Sequence, residues 1–251
     1  MLRQIIHLIF AGMHLCIDAG NTQVKYGVFK NRRLIYKETS EQLDVQLAGR
    51  IIRQFYPEKA MLSSVRKPQP AFVKLLKNAC SLTELSHTTP LPIVLDYETP
   101  ETLGRDRIAC AVAAWVKYRK QNSLVINAGT CITFDIVTHE GVYKGGAISP
   151  GIEMRYKAMH EFTARLPYVT DRKPVRITGK STTASLNAGV LNHVCYEVEG
   201  AIRFYTSHFE GLRVIITGGN GPFLAKRLKN GIFAASDLVL TGLNEILIYN
   251  A

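Results

Sequence analysis

The feature that most constrains the fold is a strand–turn–strand unit that occurs twice. Residues 15–29 read LCIDAGNTQVKYGVF and residues 124–137 read LVINAGTCITFDIV, with Asn127 in the position of Asp18. A third strand pattern follows each unit, RRLIYKET at 32–39 and GVYKGGAI at 141–148. The spacing is that of a domain and is too long for a solenoid repeat. The chain is therefore predicted to use one fold twice, the alternative being a chance match between two common short units.

Length and composition are sufficient for two modest domains with cores of their own. The chain has 251 residues, 47% of them hydrophobic, which excludes a disordered chain. Alternating strand and helix patterns after each unit predict the α/β class. The expected domains are residues 13–120 and 121–251. Residues 1–12 are expected to be an N-terminal extension or a mis-assigned start. Their apolar stretch is too short to span a membrane, and a second methionine, Met13, stands directly before the first strand, which favours translation from Met13.

Cysteine usage and charge restrict the compartment and the partners. The five cysteines are scattered, odd in number and without a CxxC pair, which predicts reduced thiols in a cytoplasmic protein and no structural zinc. The formal net charge is +11, but the Lys and Arg residues are dispersed. Nucleic acid, an anionic membrane and an anionic metabolite all remain open on charge alone.

Both repeated turns have the chemistry of a phosphate-binding turn. Glycines permit close approach of the backbone to an anion, and neighbouring Asn and Thr side chains donate to phosphate oxygens. Asp18 cannot donate when ionised, so its expected role is to hold Mg²⁺, directly or through water. The two turns together predict a site for ATP. The alternative is that each is a polar hairpin turn.

A third glycine turn follows a strand near the carboxyl end of the chain. Residues 211–228 read GLRVIITGGNGPFLAKRL, in which an apolar strand ends in glycines before a helix. Such a turn suits a flat ring or a ribose lying against the backbone. The alternative is a helix start with loop glycines.

Six motifs in order resemble those of the type III pantothenate kinases. They are DAGNT at 18–22, LGRDR at 103–107, NAGTCITFD at 127–135, GGAISPG at 145–151, GKSTTASLNAG at 179–189 and TGGN at 217–220. The resemblance covers the chain from Met13 onward. It implies two duplicated actin-like (ribonuclease H-like) domains, each a mixed five-stranded sheet flanked by helices, with a cleft between them.

The resemblance also implies an activity, cofactors and partners. The expected reaction is ATP-dependent phosphorylation of pantothenate to 4′-phosphopantothenate, the first step of coenzyme A biosynthesis. ATP with Mg²⁺ and a monovalent cation, K⁺ or NH₄⁺, are the expected cofactors. A homodimer is expected, with no membrane partner, and nucleic acid is not favoured as a partner.

The substrate residues follow from the family's Gly-x-Asp-Arg element. Asp106 is the expected general base for the primary hydroxyl, and Arg107 is suited to grip the pantothenate carboxylate. Thr182 is expected to reach pantothenate from the partner subunit. The substrate set is Tyr97, Gly104, Arg105, Asp106, Arg107 and Thr182. The alternative is that Asp106 is only a helix N-cap and Arg107 a surface side chain.

The nucleotide residues are expected on the three glycine turns. The set is Asp18, Ala19, Gly20, Asn21, Thr22, Gln23, Val24, Lys25, Gly129, Thr130, Thr133, Gly218, Gly219 and Asn220. Lys25 contacts phosphate or lies on an exposed strand face; both remain open. Asn127 stands where most family members have Asp, which removes a charge. A monovalent cation site at Asn127 and Asp135 is therefore in doubt on this chain, and Asp135 as an ordinary polar strand residue is the alternative.

There are three alternatives to a pantothenate kinase. A transcriptional accessory protein of the same fold is one, but no helix-turn-helix pattern or basic tail supports it. An actin-like filament ATPase would have no use for Asp106, Arg107 and Thr182. A kinase for a different small hydroxy acid or a sugar is the nearest alternative.

Overall fold

A computed structural model describes residues 12–67, 69–173, 177–228 and 233–251. Apart from Gly12, the expected extension of residues 1–12 lies outside these ranges. The chain forms two compact units. The first runs to Lys117 and includes Gly141–Tyr143 and Asp237–Ala251, and the second comprises Tyr118–Glu140 and Lys144–Ser236.

The elements alternate as the strand and helix patterns predict. In chain order they are β1 (Met13–Ala19), β2 (Val24–Lys30), β3 (Arg33–Ser40), α1 (Val45–Phe55), β4 (Lys59–Ser64), α2 (Pro70–Ala79), β5 (Ser81–Glu84), β6 (Val94–Leu95), α3 (Arg105–Lys117), β7 (Ser123–Ala128), β8 (Cys131–Val137), β9 (Val142–Pro150), α4 (Ile152–Glu161), α5 (Thr182–Asn187), α6 (His193–His208), β10 (Arg213–Thr217), α7 (Gly221–Arg227), β11 (Phe233–Ala234) and α8 (Leu238–Tyr249).

Local signals in the sequence explain where α1 begins and ends. Asp44 is its N-cap, and the carboxylate accepts hydrogen bonds from the backbone N–H groups of Gln46 at 2.8 Å and Leu47 at 3.0 Å. The helix ends at Tyr56, which adopts a left-handed conformation with φ 46°. Pro57 follows and cannot continue the helix.

The first sheet has the order β3-β2-β1-β4-β5, with β1 antiparallel to β2 and parallel to β4. Side chains alternate across β1, so Leu15 and Ile17 enter the core shared with α1 and α2. Helices α3 and α8 belong to the same unit, and α8 contacts β1 on the other face, where His14 Nδ1 lies 2.8 Å from Asn244 Oδ1. By the same alternation, Asp18 lies on the face with His14, at the carboxyl end of β1.

The second unit contains the strand order β11-β10-β7-β8-β9. Strand β7 is antiparallel to β8 and parallel to β10. The residues Leu124, Ile126, Phe134 and Ile136 face a core that also contains residues of α4 and α6. Strand β9 begins in the first unit, where Val142 and Tyr143 pair with β6. The two-residue strand β6 is therefore a sixth strand added to the expected five-stranded sheet.

The position of helix α8 differs from the expected domain division, which placed residues 121–251 in one domain. It belongs to the first unit and packs on α3. The two helices approach closely at Gly242, where an added Cβ would lie 1.8 Å from the carbonyl oxygen of Ala109. The alanines of α3 and this glycine remove side-chain bulk, which allows helix backbones to come this close.

None of the five cysteines, which all lie in the described ranges, forms a disulfide. Burial raises the pKa of Cys16 and Cys195 and raises that of Cys80 to about 11. A raised pKa keeps these thiols protonated and unreactive at neutral pH. No helix in the described ranges is long and apolar enough to cross a membrane.

Candidate active site

Asp18 lies at the end of β1 between two polar side chains of neighbouring strands. It pairs in register with Lys25 on β2 and with Ser63 on β4. The carboxylate is only 8% exposed, and burial, partly offset by Lys25, raises its pKa to about 6. The charge of Asp106 contributes further to the rise, and the Ser63 hydroxyl donates to the carboxylate and lowers the pKa. The structure therefore brings Asp18, Lys25 and Asp106 into one electrostatic group.

Asp106 is placed by the first turn of α3. The carbonyl of Gly104 accepts the hydrogen bond of Ile108 N at 3.1 Å, so Gly104 is the residue that precedes the helix. Asp106 is inside the first turn, where the helix dipole favours a carboxylate, and is not the N-cap. A Cβ on Gly104 would lie 2.9 Å from Asp106 Oδ1. The glycine thus leaves room for the carboxylate.

Arg107 is buried beside two tyrosines. Its side chain is 4% exposed, which rules out the alternative of a surface residue. The guanidinium carbon lies 5.9 Å from the ring centre of Tyr97 and 6.0 Å from that of Tyr143. These distances allow cation–π attraction to both rings. Tyr143, a fully buried residue of β9, was not predicted as a site residue.

Arg105 makes a structural contact. Its Nη1 donates to the carbonyl oxygen of Ser64 at 2.6 Å, which ties the start of α3 to the end of β4. Because β4 is parallel to β1, this contact fixes Asp106 relative to the strand end that carries Asp18.

The first glycine turn is exposed and is supported by an arginine. Asn21, Thr22 and Gln23 are exposed, and Gly20 N donates to the carbonyl of Gln23 at 3.1 Å. Arg66, which follows β4, donates from Nε to Gly20 O at 2.6 Å and from Nη2 to Asn21 O at 3.2 Å. The sequence motif did not reveal Arg66, because it lies outside the turn.

In the second unit, the glycine turn at 128–130 contacts two other glycine segments. Asn220 N donates to the carbonyl of Ala128 at 2.9 Å, and Gly151 N donates to the carbonyl of Thr130 at 3.0 Å. Gly218 has φ +88°, and an added Cβ would lie 2.5 Å from Ala128 O. Only glycine fits this conformation and this space. The turns at 129–130 and 218–220, predicted separately to bind nucleotide, are therefore in contact.

The residues predicted for a monovalent cation share one face of the second sheet. Asn127 pairs with Thr133 across β7 and β8, and Asp135 follows two residues later on the same face. The hydroxyl of Thr133 donates to Asp135 Oδ2 at 2.7 Å, and Asp135 is 1% exposed. The hydroxyl of Thr133, which was expected to donate to a phosphate, therefore donates to Asp135 in this structure. The side-chain oxygen atoms on this face are the kind of ligand that a monovalent cation needs.

Thr182 begins the short helix α5 and is exposed. The preceding Ser181 is the N-cap, and its hydroxyl accepts from Ala184 N at 3.2 Å. The structure therefore presents Thr182 at a capped helix start on the surface of the second unit.

The residue expected to hold Mg²⁺ is the buried carboxylate of Asp18. Within the part of the chain that the structure describes, no group of three or more His, Cys, Asp or Glu could enclose a metal ion. A single carboxylate beside a phosphate turn is an arrangement in which Mg²⁺ takes its other ligands from water and phosphate. Asp18 therefore fits a magnesium ion that arrives with a nucleotide.

Solved structures share the fold. A Campylobacter jejuni protein named for the Baf family of transcriptional activators has a TM-score of 0.63 at 22% identity, covering 94% of this chain and 98% of its own. A ROK family glucokinase from Streptomyces griseus, in complex with glucose and AMPPNP, has a TM-score of 0.51 at 12% identity, covering 94% and 99%. At these identities the likeness concerns the fold alone, and it confirms the predicted two-domain actin-like α/β class.

Sequence comparisons identify the family. The model of the type III pantothenate kinase family matches residues 14–203. A type III pantothenate kinase from Christiangramia forsetii is 44% identical over 240 residues, covering 95% of this chain and 99% of the relative. One from Cytophaga hutchinsonii is 42% identical over 238 residues, covering 95% and 100%. Matches of this identity and coverage confirm the resemblance, and the chain belongs to the type III pantothenate kinase family.

Proposed function

We propose that this protein transfers the γ-phosphoryl group of ATP to the primary hydroxyl of pantothenate, giving 4′-phosphopantothenate and ADP. This is the first step of coenzyme A biosynthesis. The observation that carries the proposal is family membership over nearly the whole chain. The electrostatic group of Asp18, Lys25 and Asp106, with the buried Arg107 next to Asp106 in the chain, supports it, because an acceptor alcohol with a carboxylate needs a base and a cation.

Asp106 acts as the general base. As the pantothenate oxygen forms its bond to the γ-phosphorus, the bond from that phosphorus to the bridging oxygen breaks and ADP leaves. The hydroxyl proton passes to the Asp106 carboxylate. The alternative that Asp106 is only a helix N-cap does not apply, because Asp106 lies inside the first turn of α3.

Arg107 holds the carboxylate of pantothenate, with Tyr97 beside it. An arginine pairs with a carboxylate through two parallel hydrogen bonds, which fixes orientation as well as position. Tyr97 and Tyr143 flank the guanidinium and limit its movement. Gly104 and Arg105 contribute by placing Asp106, and Thr182 completes the pantothenate site from a partner subunit.

Each unit has glycine turns suited to a nucleotide. In the first unit, residues 18–25 contact phosphates. In the second unit, Gly129 and Thr130 contact phosphates, and Gly218, Gly219 and Asn220 contact the nucleoside. Mg²⁺, when bound with ATP, neutralises phosphate charge, and Asp18 would hold it through water. K⁺ or NH₄⁺ would be held near Asn127 and Asp135, more weakly than in relatives that have Asp at position 127.

The protein is proposed to be a cytoplasmic homodimer. The five cysteines all lie in the described ranges and form no disulfide, which fits a reducing compartment. On α6, Tyr196 and Phe204 are 51% and 61% exposed, with Gly200 between them at helical spacing. Large aromatic side chains on one face of a helix are enriched at protein interfaces.

The proposal is tested by assaying purified protein for ATP-dependent phosphorylation of pantothenate, with and without K⁺ or NH₄⁺. Asp106→Asn is expected to lower kcat by about 10²- to 10⁴-fold, because the amide cannot accept the hydroxyl proton. The matched control is Asp44→Asn in the same unit. It retains an N-cap on α1 and is expected to keep normal turnover.

Two outcomes would contradict parts of this proposal. Near-normal turnover by Asp106→Asn, in a variant that binds ATP normally, removes the base assignment. If the wild-type protein fails to phosphorylate pantothenate under every cation tested, the acceptor is wrong, and sugars and other small hydroxy acids are tested next.

A further inference from the structure

Arg66 makes three hydrogen bonds to backbone carbonyl groups. Its Nε donates to Gly20 O at 2.6 Å, its Nη2 to Asn21 O at 3.2 Å and its Nη1 to Glu41 O at 2.7 Å. The three acceptors lie in two loops, the first glycine turn and the segment between β3 and α1. One half-buried guanidinium therefore joins the turn to a neighbouring loop.

These bonds determine the direction of two amide groups. In a trans peptide unit the C=O and the N–H of the next residue point in opposite directions, and this chain has no cis peptide in the described residues. Because Arg66 holds the carbonyl groups of Gly20 and Asn21, the N–H groups of Asn21 and Thr22 point away from Arg66. Backbone N–H groups aimed the same way from successive residues form an anion-binding concavity.

We propose that Arg66 is a positioning residue for the first phosphate turn. It orients the amide groups of Asn21 and Thr22 toward the phosphates of ATP and places a positive charge behind them. It does not touch the nucleotide in this proposal, which rests on the proposed kinase function. A guanidinium suits the task because its planar fork reaches three acceptors at once, which a lysine ammonium on a flexible stem cannot do in the same geometry.

The test compares Arg66→Ala and Arg66→Lys with the wild type in steady-state kinetics and in calorimetric titrations with ATP and with adenosine. Losing charge-assisted hydrogen bonds that order the turn is expected to weaken ATP binding about tenfold in Arg66→Ala. The KM for pantothenate and the affinity for adenosine are expected to stay unchanged. Arg66→Lys is expected to lie between the wild type and Arg66→Ala.

Arg50→Ala is the matched control. Arg50 is an arginine of the same unit whose Nη2 pairs with Glu38 Oε1 at 2.7 Å on the surface, and its side chain is 54% exposed. This variant is expected to bind ATP as the wild type does. A general loss of positive charge from the unit would weaken ATP binding in both alanine variants and overturn the specific role of Arg66.

The outcomes separate this inference from the proposed function. Turnover of pantothenate by the wild type, together with an unchanged KM for ATP in Arg66→Ala, overturns the inference and leaves the function. If the wild type does not turn over pantothenate and Arg66→Ala selectively loses ATP binding, the role of Arg66 is supported and pantothenate is excluded as the substrate. A parallel loss of ATP, adenosine and pantothenate affinity indicates a merely structural role. If Arg66→Ala does not fold, the ATP affinity of Arg66→Lys decides.

Discussion

The carboxylate of Asp18 is buried at the end of β1, and burial is the largest cause of a pKa of about 6. In the unfolded chain an aspartate titrates near 3.9. The folded state therefore binds this proton more tightly than the unfolded state does. With respect to Asp18, stability rises as the pH falls from above 6 towards 4, and ionised Asp18 destabilises the free protein at neutral pH.

Asp18→Asn is expected to stabilise the free protein at pH 7.5. The gain in free energy of unfolding is about 1 to 3 kcal/mol and shrinks towards pH 4, where Asp18 is protonated in the wild type. Thermal unfolding midpoints at a series of pH values measure it. Asp44→Asn serves as the control, with no gain that follows this pattern. A lower midpoint for Asp18→Asn at pH 7.5 would mean that attraction to Lys25 outweighs burial.

Single residues could be predicted where a motif carries them and not where packing brings them in. Asp18 and Asp106 were identified from their motifs, and the structure places both in one electrostatic group. Ser63 and Tyr143 join the site through strand pairing between distant segments. Their local sequences, KAMLSS and GVYKGG, read as ordinary strands. Strand register and the connections between strands decide where these two residues lie, and a short sequence pattern specifies neither.

At the scale of elements, the junction of β9 and α4 packs directly on the glycine turn at 129–130. An added Cβ on Gly151 would lie 2.3 Å from Thr130 O and 2.4 Å from Gly129 O. Arg155 on α4 holds the other side of the junction, donating from Nε to Pro150 O at 2.8 Å and pairing with Glu197 on α6. The junction is thus fixed on both sides and has little freedom to shift.

Gly151→Ala is expected to displace the turn at 129–130 and to weaken ATP binding about tenfold or more, since both clashing atoms are backbone. Calorimetric titration with ATP measures the loss. Gly189→Ala, between α5 and α6, is the control, because nothing lies within 4 Å of its added Cβ. Equal ATP affinity in Gly151→Ala and the wild type would show that the junction does not govern the turn.

Element types were predicted well and their ends less well. Residues 191–209, LNHVCYEVEGAIRFYTSHF, have the apolar spacing of one continuous helix. The structure has a π-helical turn at Ala188–Asn192 that joins α5 to α6. Apolar spacing does not distinguish one inserted residue in a helix from a regular turn. The two-residue strand β6 is likewise too short for any periodicity to define.

At the scale of the molecule, the first unit is assembled from both ends of the chain. Helix α8 packs on α3 and on β1, and Arg32 near the start of β3 pairs with Glu245 at 2.9 Å. The duplication in the sequence indicated two domains, but it did not indicate that the last helix packs in the first unit. The last helix follows a strand of the second half in the sequence, so it was expected to belong to the second domain. The packing of Gly242 on Ala109 shows that it belongs to the first unit.

Gly242→Ala is expected to lower the free energy of unfolding by about 1 to 3 kcal/mol, because the added Cβ would lie 1.8 Å from the Ala109 carbonyl oxygen and the helices must separate. Urea denaturation and hydrogen exchange in β1 measure the effect. Gly49→Ala in α1 is the control, with its nearest neighbour the flexible Arg53 side chain at 3.4 Å. Stability equal to the wild type would contradict close packing of these helices.

The position of α8 has a consequence for biosynthesis. A ribosome emits the chain from the amino end, so β1 leaves the exit tunnel long before α8, the helix that covers His14. All strands of the second unit are synthesised before α8. The unit whose synthesis begins first therefore finishes folding last, and until α8 emerges the nascent chain exposes an uncovered sheet face to chaperones.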